Sequence, residues 1–277
     1  MEPMGYPCLT LLLGKLSFVK RKQLYLACPA IRKQEDTIPY NFERIEIGSS
    51  VIKIDKLNVK VSYDEIWQTN CCEWYDNGDK EKTTALPEKM SVEDAAEKLF
   101  MFYMNRPGTN IKKFIIKGTR VFLPKCIPLN IEKLNFGCSN DAPAEHGTWI
   151  KTTKPVDHLK ICNIFRDEAI TNSKSVFVDF INFEEERGVF ETMMNWKCKT
   201  LKVLGVPFDS MADHCLTLSK TKLPIGYSFI FVHEITYLED FTIDGLGMKI
   251  KGRKTFWNRR KCATITMDDS TEFNVHY

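Results

Sequence analysis

The sequence lacks both a long apolar run and an excess of charge of one sign. Its apolar stretches, such as 225–232, are far shorter than the roughly 18 residues that a membrane-spanning helix needs. Its 39 Lys and Arg residues nearly balance its 36 Asp and Glu residues, for a formal charge of +3, so bulk attraction to nucleic acid or to an anionic membrane is not expected. With 277 residues, of which 43% are hydrophobic, the chain can still bury a sizeable core in one or two domains. We therefore expect a folded protein that does not bind membranes.

Cysteine pairs at a spacing that suits metal binding are also lacking, since Cys71 and Cys72 are adjacent. Ten cysteines are scattered from Cys8 to Cys262, and the sequence has no Asn-x-Ser/Thr glycosylation site. Small secreted domains concentrate their cysteines, and a signal peptide would begin with a basic region that 1–7 lacks. We therefore predict reduced cysteines and a cytoplasmic or nuclear location. Because no Cys-x-x-Cys or His-x3-His pair is present, we predict no metal and no other cofactor.

The motifs of several common enzyme classes are missing as well. No Gly-x-Ser-x-Gly elbow and no His-Glu-x-x-His helix occurs. Asp213, His214 and Cys215 follow one another, but consecutive helical residues point about 100° apart and cannot form a base and nucleophile pair. We therefore predict a protein that is not an enzyme and has no catalytic residues.

The first 90 residues predict three elements. In 1–37, leucines recur at helical spacing and predict helices with an apolar face. In 38–62, apolar residues alternate at period two around turns at 48–50 and at 55–56, which predicts a small antiparallel β element. The polar composition of 63–90 predicts an exposed insertion.

The remainder, 91–277, predicts one helix followed by an irregular array of repeats. Ser91 is expected to cap a helix that ends near Met104, before Arg106, Pro107 and Gly108. After it, a six-residue pattern recurs, with apolar residues at its first, fourth and sixth positions. Its copies follow one another at intervals typical of leucine-rich repeats. Its copies are Ile111/Phe114/Ile116, Ile131/Leu134/Phe136, Val156/Leu159/Ile161, Ser175/Val178/Phe180, Cys198/Leu201/Val203, Leu238/Phe241/Ile243 and Cys262/Ile265/Met267. The longest interval predicts an extra strand near 228–232, and an ordinary α/β domain is the alternative interpretation.

A basic segment near the C-terminus is the candidate site for anions. Lysines and arginines alternate there with aromatic residues, an arrangement that can neutralise phosphates while rings stack on bases. A solvated loop between two repeats is the alternative interpretation. The candidate anion or nucleic-acid residues are Lys249, Lys251, Arg253, Lys254, Trp257, Arg259, Arg260 and Lys261.

Several segments resemble one family when taken in order along the chain. Residues 6–9, the leucines at 12, 13, 16 and 24, Arg21 and the Cys28-Pro29 pair resemble a shortened F-box-like opening. The segments 38–47, 52–54, 131–138, 223–229 and 271–275 are similar to later family motifs. On these segments the sequence resembles the nematode-expanded F-box C-type proteins, which carry a long C-terminal domain of unknown function with leucine-rich-like repeats.

The resemblance implies a function that composition alone does not. An F-box binds the Skp1-type adaptor of a cullin ubiquitin ligase, while the remainder of such a protein binds a substrate. The residues expected to contact the adaptor are Pro7, Leu9, Leu12, Leu13 and Leu16; their alternative role is to pack against the following sheet. We thus expect an α/β interaction protein with a short helical F-box-like start, a small β element and an irregular leucine-rich-repeat-like array. A repeat-type binding protein without a ligase link, and a nucleic-acid binder that uses 249–261, are the alternatives.

Overall fold

The structure is a computed structural model of the chain. It describes residues 6–48, 50–64, 69–117, 129–137, 152–162, 173–179, 193, 196–204, 228–233, 241–243, 248–250, 261–267 and 273–276. The described part is mixed α/β, as the sequence predicted, and it divides into two units. Unit 1 comprises 1–132 with 149–154, and unit 2 comprises 133–148 with 155–277.

Four helices lie among the described residues of unit 1. They are α1 (Tyr6–Lys15), α2 (Phe18–Ala27), α3 (Pro29–Glu35) and α4 (Val92–Met104). Local chemistry sets their ends: the Ser17 side chain accepts from the backbone N–H of Lys20, and Pro29 opens α3 where its missing N–H costs nothing. Ser91 caps α4 by accepting from the backbone N–H of Asp94 at 3.0 Å, which confirms the predicted cap.

The sheet of unit 1 contains six strands in the order β6-β1-β2-β3-β4-β5. These are β1 (Asn41–Ile47), β2 (Val51–Ile54), β3 (Leu57–Asp64), β4 (Thr69–Asp76), β5 (Asp79–Ala85) and β6 (Asn110–Ile116). The antiparallel β1–β2–β3 meander confirms the predicted small β element. The sequence did not predict that β1 would also pair in parallel with β6, with Ile45 opposite Phe114.

The predicted exposed insertion at 63–90 is a hairpin that extends this sheet. β4 pairs with β3 and buries Cys71 and Cys72, whereas all seven residues of β5 are exposed. The turn between β4 and β5 contains Asn77 (φ 52°) and Gly78 (φ 97°), the two left-handed residues that a tight hairpin turn requires. The Asn-Gly pair was the signal in the sequence that could have indicated this hairpin.

The core of unit 1 lies between the sheet and the helices. The Phe18 ring of α2 contacts Tyr40 (4.9 Å between ring centres), Phe42 of β1 (5.0 Å) and Tyr103 of α4 (5.3 Å). All three contacts are close to edge-to-face, the geometry that aromatic pairs prefer. The helices are thus fixed on the sheet by rings from three separate stretches of sequence.

Unit 2 is built on parallel strands that follow chain order. They are β7 (Asn130–Phe136, which spans the boundary between the units), β8 (His158–Ile161), β9 (Ser175–Val178), β10 (Thr200–Leu204) and β11 (Ser228–His233). The strands β14 (Lys261–Met267) and β15 (Phe273–His276) continue the sheet in antiparallel order. The extra strand predicted near 228–232 is therefore confirmed as β11.

Two copies of the predicted repeat pattern need correction. In and just before β9 the buried residues are Ser173, Val176 and Val178, a register two residues before Ser175/Val178/Phe180, of which Phe180 lies outside the described residues. Of the copy Leu238/Phe241/Ile243, Leu238 lies outside the described residues. Phe241 and Ile243 lie in β12 (Phe241–Ile243), which pairs with β13 (Met248–Ile250) in a separate two-stranded sheet. Alternating apolar residues predict that a segment is a strand, but the strands with which it pairs depend on the rest of the chain.

The cysteines agree only in part with the expectation of reduced thiols. Cys8, Cys28, Cys71, Cys72 and Cys198 are free, whereas Cys162 is disulfide-bonded. Burial raises the pKa of Cys72 and of Cys198 to about 11, so both thiols stay protonated and unreactive at neutral pH. In the described part of the chain, no helix has the length and apolar character needed to cross a bilayer.

Candidate protein-binding surface

Helix α1 has two faces of opposite character. Cys8, Leu11, Leu12 and Lys15 recur at helical spacing and are all exposed, with Leu11 at 69% and Leu12 at 47% exposure. We call this set the outer stripe of α1. On the other face Leu13 is 1% exposed, and Leu9 and Leu16 are half-buried. The outer stripe therefore offers two large apolar side chains to solvent.

The predicted adaptor contacts divide between these two faces. Leu12 and Pro7 are exposed and available to a partner, whereas Leu13 is part of the core of unit 1. The inclusion of Leu13 among the adaptor contacts is therefore corrected, because a side chain used by the core cannot contact a second protein. Leu9 and Leu16 are half-buried. Leu11, which the sequence analysis did not select, is the most exposed large hydrophobic residue in the described part of the chain.

Helix α2 adds two further exposed leucines. Leu24 is 39% exposed and Leu26 is 62% exposed. Scattered exposed leucines are ordinary on protein surfaces, but these four belong to one short segment, 11–26, on two consecutive helices that both contact α3. We call Leu11, Leu12, Leu24 and Leu26 the exposed leucine set.

Helix α3 holds the other two helices in place. Arg32 donates from Nε to the Tyr25 carbonyl (2.8 Å) and from a guanidinium nitrogen to the Leu26 carbonyl (3.2 Å), so it satisfies the C-terminal carbonyls of α2. Gln34 donates to the Thr10 hydroxyl of α1 at 2.6 Å. The leucines are thus presented by helices whose mutual positions are fixed, which lowers the entropy cost of binding a partner.

A buried charged cluster ties this helical segment to the sheet. Glu35 is fully buried; its carboxylate lies 3.1 Å from Arg21 and 2.6 Å from Arg106, and it accepts from the Tyr40 hydroxyl at 2.5 Å. The guanidinium groups of Arg21 and Arg106 also lie 4.3 and 4.4 Å from the centre of the Tyr40 ring. We call Arg21, Glu35, Tyr40 and Arg106 the Glu35 cluster.

The cluster is electrostatically matched. Burial alone would raise the pKa of Glu35, but hydrogen bonds from Arg106 and Tyr40, together with the two positive charges, bring it below its ordinary value. Burial and the bond to Glu35 raise the pKa of Tyr40, which therefore remains a hydrogen-bond donor at neutral pH. Arg21 and Arg106 also donate to the Ile38 and Glu35 carbonyls, at 2.8 and 2.7 Å. With so many internal partners, these groups fix the structure rather than present a reactive site.

The neighbouring Lys22 is buried against aromatic rings. Its Nζ donates to the Phe102 carbonyl at 3.0 Å and lies 4.1 Å from the centre of the Phe102 ring. Burial lowers its pKa to about 8, and the charge of Arg106 acts in the same direction. Sequence reasoning missed Lys22, Glu35 and Arg106, because charged residues between helices are normally assigned to the surface.

The predicted basic patch falls largely outside the described residues. Lys249 lies in β13 and Lys261 begins β14. The other predicted members, Lys251, Arg253, Lys254, Trp257, Arg259 and Arg260, lie outside the described part of the chain. In the described ranges no group of three or more His, Cys, Asp or Glu side chains could hold a metal ion.

Comparison with known proteins adds no assignment. No protein-family model matches the sequence, and neither a curated protein nor a solved structure matches it. The function is therefore proposed from the chain's own residues.

Proposed function

We propose that the chain is a non-enzymatic interaction adaptor, the substrate-recognition subunit of a Skp1-cullin-F-box type ubiquitin ligase. The exposed leucine set contacts a Skp1-type adaptor, and the parallel strands of unit 2 offer a surface to a substrate protein. Ubiquitin transfer is carried out elsewhere in the complex. The protein acts in the cytoplasm or nucleus.

The exposed leucine set is the observation that carries this proposal. A helix that binds in a groove needs apolar anchors that its own fold leaves free, and Leu11 and Leu12 meet this requirement. The resemblance of 6–29 to an F-box-like opening gives those anchors a candidate partner. The parallel strands β7 to β11 pair in chain order. This order supports a repeat-type surface, because in a repeat protein each repeat packs only on its neighbours.

The test is a pull-down of the full chain with a purified Skp1-type adaptor. We expect the parent to bind and the double variant Leu11→Asp/Leu12→Asp to lose binding, because two charges would have to be desolvated in an apolar groove. Both side chains are exposed, so the variant should keep the circular dichroism spectrum of the parent.

Tyr63→Asp is the matched control, since Tyr63 is 56% exposed and lies on β3, away from the helical segment in sequence. It should bind like the parent. Failure of the parent to bind contradicts the ligase link and leaves a repeat-type binding protein. Binding of nucleic acid that falls steeply with added salt, and with Arg259→Ala/Arg260→Ala, favours the nucleic-acid binder that uses 249–261.

A further inference from the structure

One face of the parallel strands of unit 2 carries polar and charged residues in register. Leu134, Leu159, Val176 and Leu201 are aligned across β7 to β10 and are buried. Because side chains alternate along a strand, the next residues project from the opposite face. In register they are Asn135, Lys160, Phe177, Lys202 and Ile230, each half-buried. We call these five residues the outer row.

The centre of the outer row is an aromatic ring between two cations. Lys160 Nζ lies 5.1 Å and Lys202 Nζ lies 5.0 Å from the centre of the Phe177 ring. Cation–π contact at this range is favourable and restrains both flexible side chains. The two ammonium groups are therefore already ordered before a partner arrives, which reduces the entropy cost of binding.

The two lysines differ in their carboxylate partners. Lys160 forms an ion pair with Asp179 at 2.6 Å, and Lys174 nearby pairs with Asp157 at 2.5 Å. Within the described ranges no carboxylate pairs with Lys202, whose recorded contact is the Phe177 ring. The row next to it is polar, with His158, Ser175 and Thr200 aligned across β8 to β10. This face thus combines a net positive charge with hydroxyl donors.

These features fit an acidic polypeptide better than a nucleic acid. Single-stranded nucleic acid binds by stacking successive bases on several rings, and the described outer row offers the single ring of Phe177. A carboxylate of a peptide, in contrast, needs one cation and one or two donors.

Strand spacing sets the spacing of the acidic residues. Neighbouring strands lie about 4.8 Å apart, so the strands that carry Lys160 and Lys202 are about 10 Å apart. In an extended chain only alternate side chains share a face, so residues i, i+2 and i+4 point the same way, and i to i+4 spans about 13 Å. We propose that the outer row binds an extended acidic segment of the partner protein, with carboxylates at positions i and i+4 reaching the two lysines and an apolar side chain at i+2 over Phe177. This inference deepens the proposed function and rests on it for the assignment of the substrate to unit 2.

The test measures fluorescence anisotropy of a labelled peptide with the full chain. The probe is Gly-Ser-Glu-Ala-Leu-Ala-Glu-Ser-Gly, and the comparison peptide has the same composition with its two glutamates adjacent. We expect Lys202→Glu to weaken binding of the probe about tenfold, as charge reversal at a contact does, and Phe177→Leu to weaken it about threefold. The comparison peptide should also bind about threefold more weakly than the probe, because its carboxylates cannot reach both lysines.

Lys53→Glu is the matched control, because Lys53 is an exposed lysine on β2 of unit 1 and its reversal changes the net charge equally. It should leave binding within twofold of the parent. If Lys202→Glu fails to fold, Lys202→Gln keeps the side-chain stem and should still weaken binding about fivefold.

Three results would overturn the inference. These are no binding by the parent at about 1 mM protein, equal weakening by Lys53→Glu and Lys202→Glu, or tighter binding of a twelve-residue oligothymidine than of the probe. The adaptor pull-down on the same preparation separates the two proposals. Adaptor binding without peptide binding removes only this inference, and peptide binding without adaptor binding removes only the ligase link.

Discussion

The two units are stabilised in different ways. In unit 1 Glu35 binds Arg21, Tyr40 and Arg106 in a buried cluster. Its first and last members, Arg21 and Arg106, are 85 residues apart in the sequence. Unit 2 has no such centre among its described residues; its strands repeat the same buried alternation, with Leu159, Val176 and Leu201 in register. A cluster of that kind concentrates stability in a few side chains, whereas a repeated row distributes it over neighbours.

The contrast also bears on the two proposals. In unit 1 the charged groups of the cluster bond to one another, and the exposed leucine set lies outside the cluster. In unit 2 burial alternates along the described strands β8 to β10, so each of these strands has an outward row. Four predictions test how sharply the two units differ, from the largest expected effect to the smallest.

Glu35→Ala should be the most destabilising change. It leaves Arg21 and Arg106 buried without the carboxylate that they share, and breaking a buried ion pair in this way costs about 4 kcal/mol. Urea denaturation should show the loss, and hydrogen exchange followed by mass spectrometry should show faster exchange in 6–117. Glu43→Ala removes the exposed pair with Lys112 and should change little. Equal effects of the two variants would contradict the central role of the cluster.

Leu201→Ala should destabilise unit 2 by about 3 kcal/mol, because it opens a cavity at a fully buried position. Hydrogen exchange should increase most in β10 and in its neighbours β9 and β11, and much less in unit 1. Lys202→Ala, one residue along and on the outer face, should leave exchange nearly unchanged. Loss of protection throughout both units would show that the two do not unfold separately.

Lys22 should make the stability of unit 1 rise with pH. Its pKa is about 8 in the folded chain and 10.5 is its ordinary value, so between these values the unfolded chain holds a proton that the folded chain has released. The free energy of unfolding therefore rises with pH in this window, by about 2 kcal/mol from pH 7.5 to 9.5. Lys22→Met should abolish the rise, whereas Lys53→Met should retain it. Denaturation curves at several pH values measure both slopes.

Ser91→Ala should have the smallest effect. It removes the bond from the Asp94 backbone N–H to the Ser91 hydroxyl and should cost about 1 kcal/mol. Thermal unfolding measures the shift. Ser91→Asp, which keeps a capping oxygen and adds charge favourable to a helix N-terminus, should restore the parent's stability. If Ser91→Ala and Ser91→Asp lower stability equally, the cap is not the cause.

Local signals in the sequence predicted much of each unit. The alternation in 38–62, the cap at Ser91 and the apolar spacing around Leu134, Leu159 and Leu201 all predicted elements that the structure contains. At 55–56 the predicted turn is present, with Asp55 at φ 52° and its carboxylate accepting from the Arg44 backbone N–H at 2.8 Å. These features depend on residues a few positions apart. The candidate binding surface was predicted less well, because helical spacing placed Leu12 and Leu13 on one face without showing which would be buried.

By itself, the sequence determined the mixed α/β class, the helix cap at Ser91 and most strand positions, since short-range geometry and apolar periodicity control them. Only the tertiary structure decided that β1 pairs with β6, that Glu35 meets Arg106 71 residues away, and that Leu11 and Leu12 face solvent while Leu13 does not. Each of these depends on which segments, far apart in the sequence, pack together in the fold. That choice depends in part on the entropy cost of closing the loop between them, which the spacing of nearby residues does not show. Pairing and burial are properties of the assembled chain.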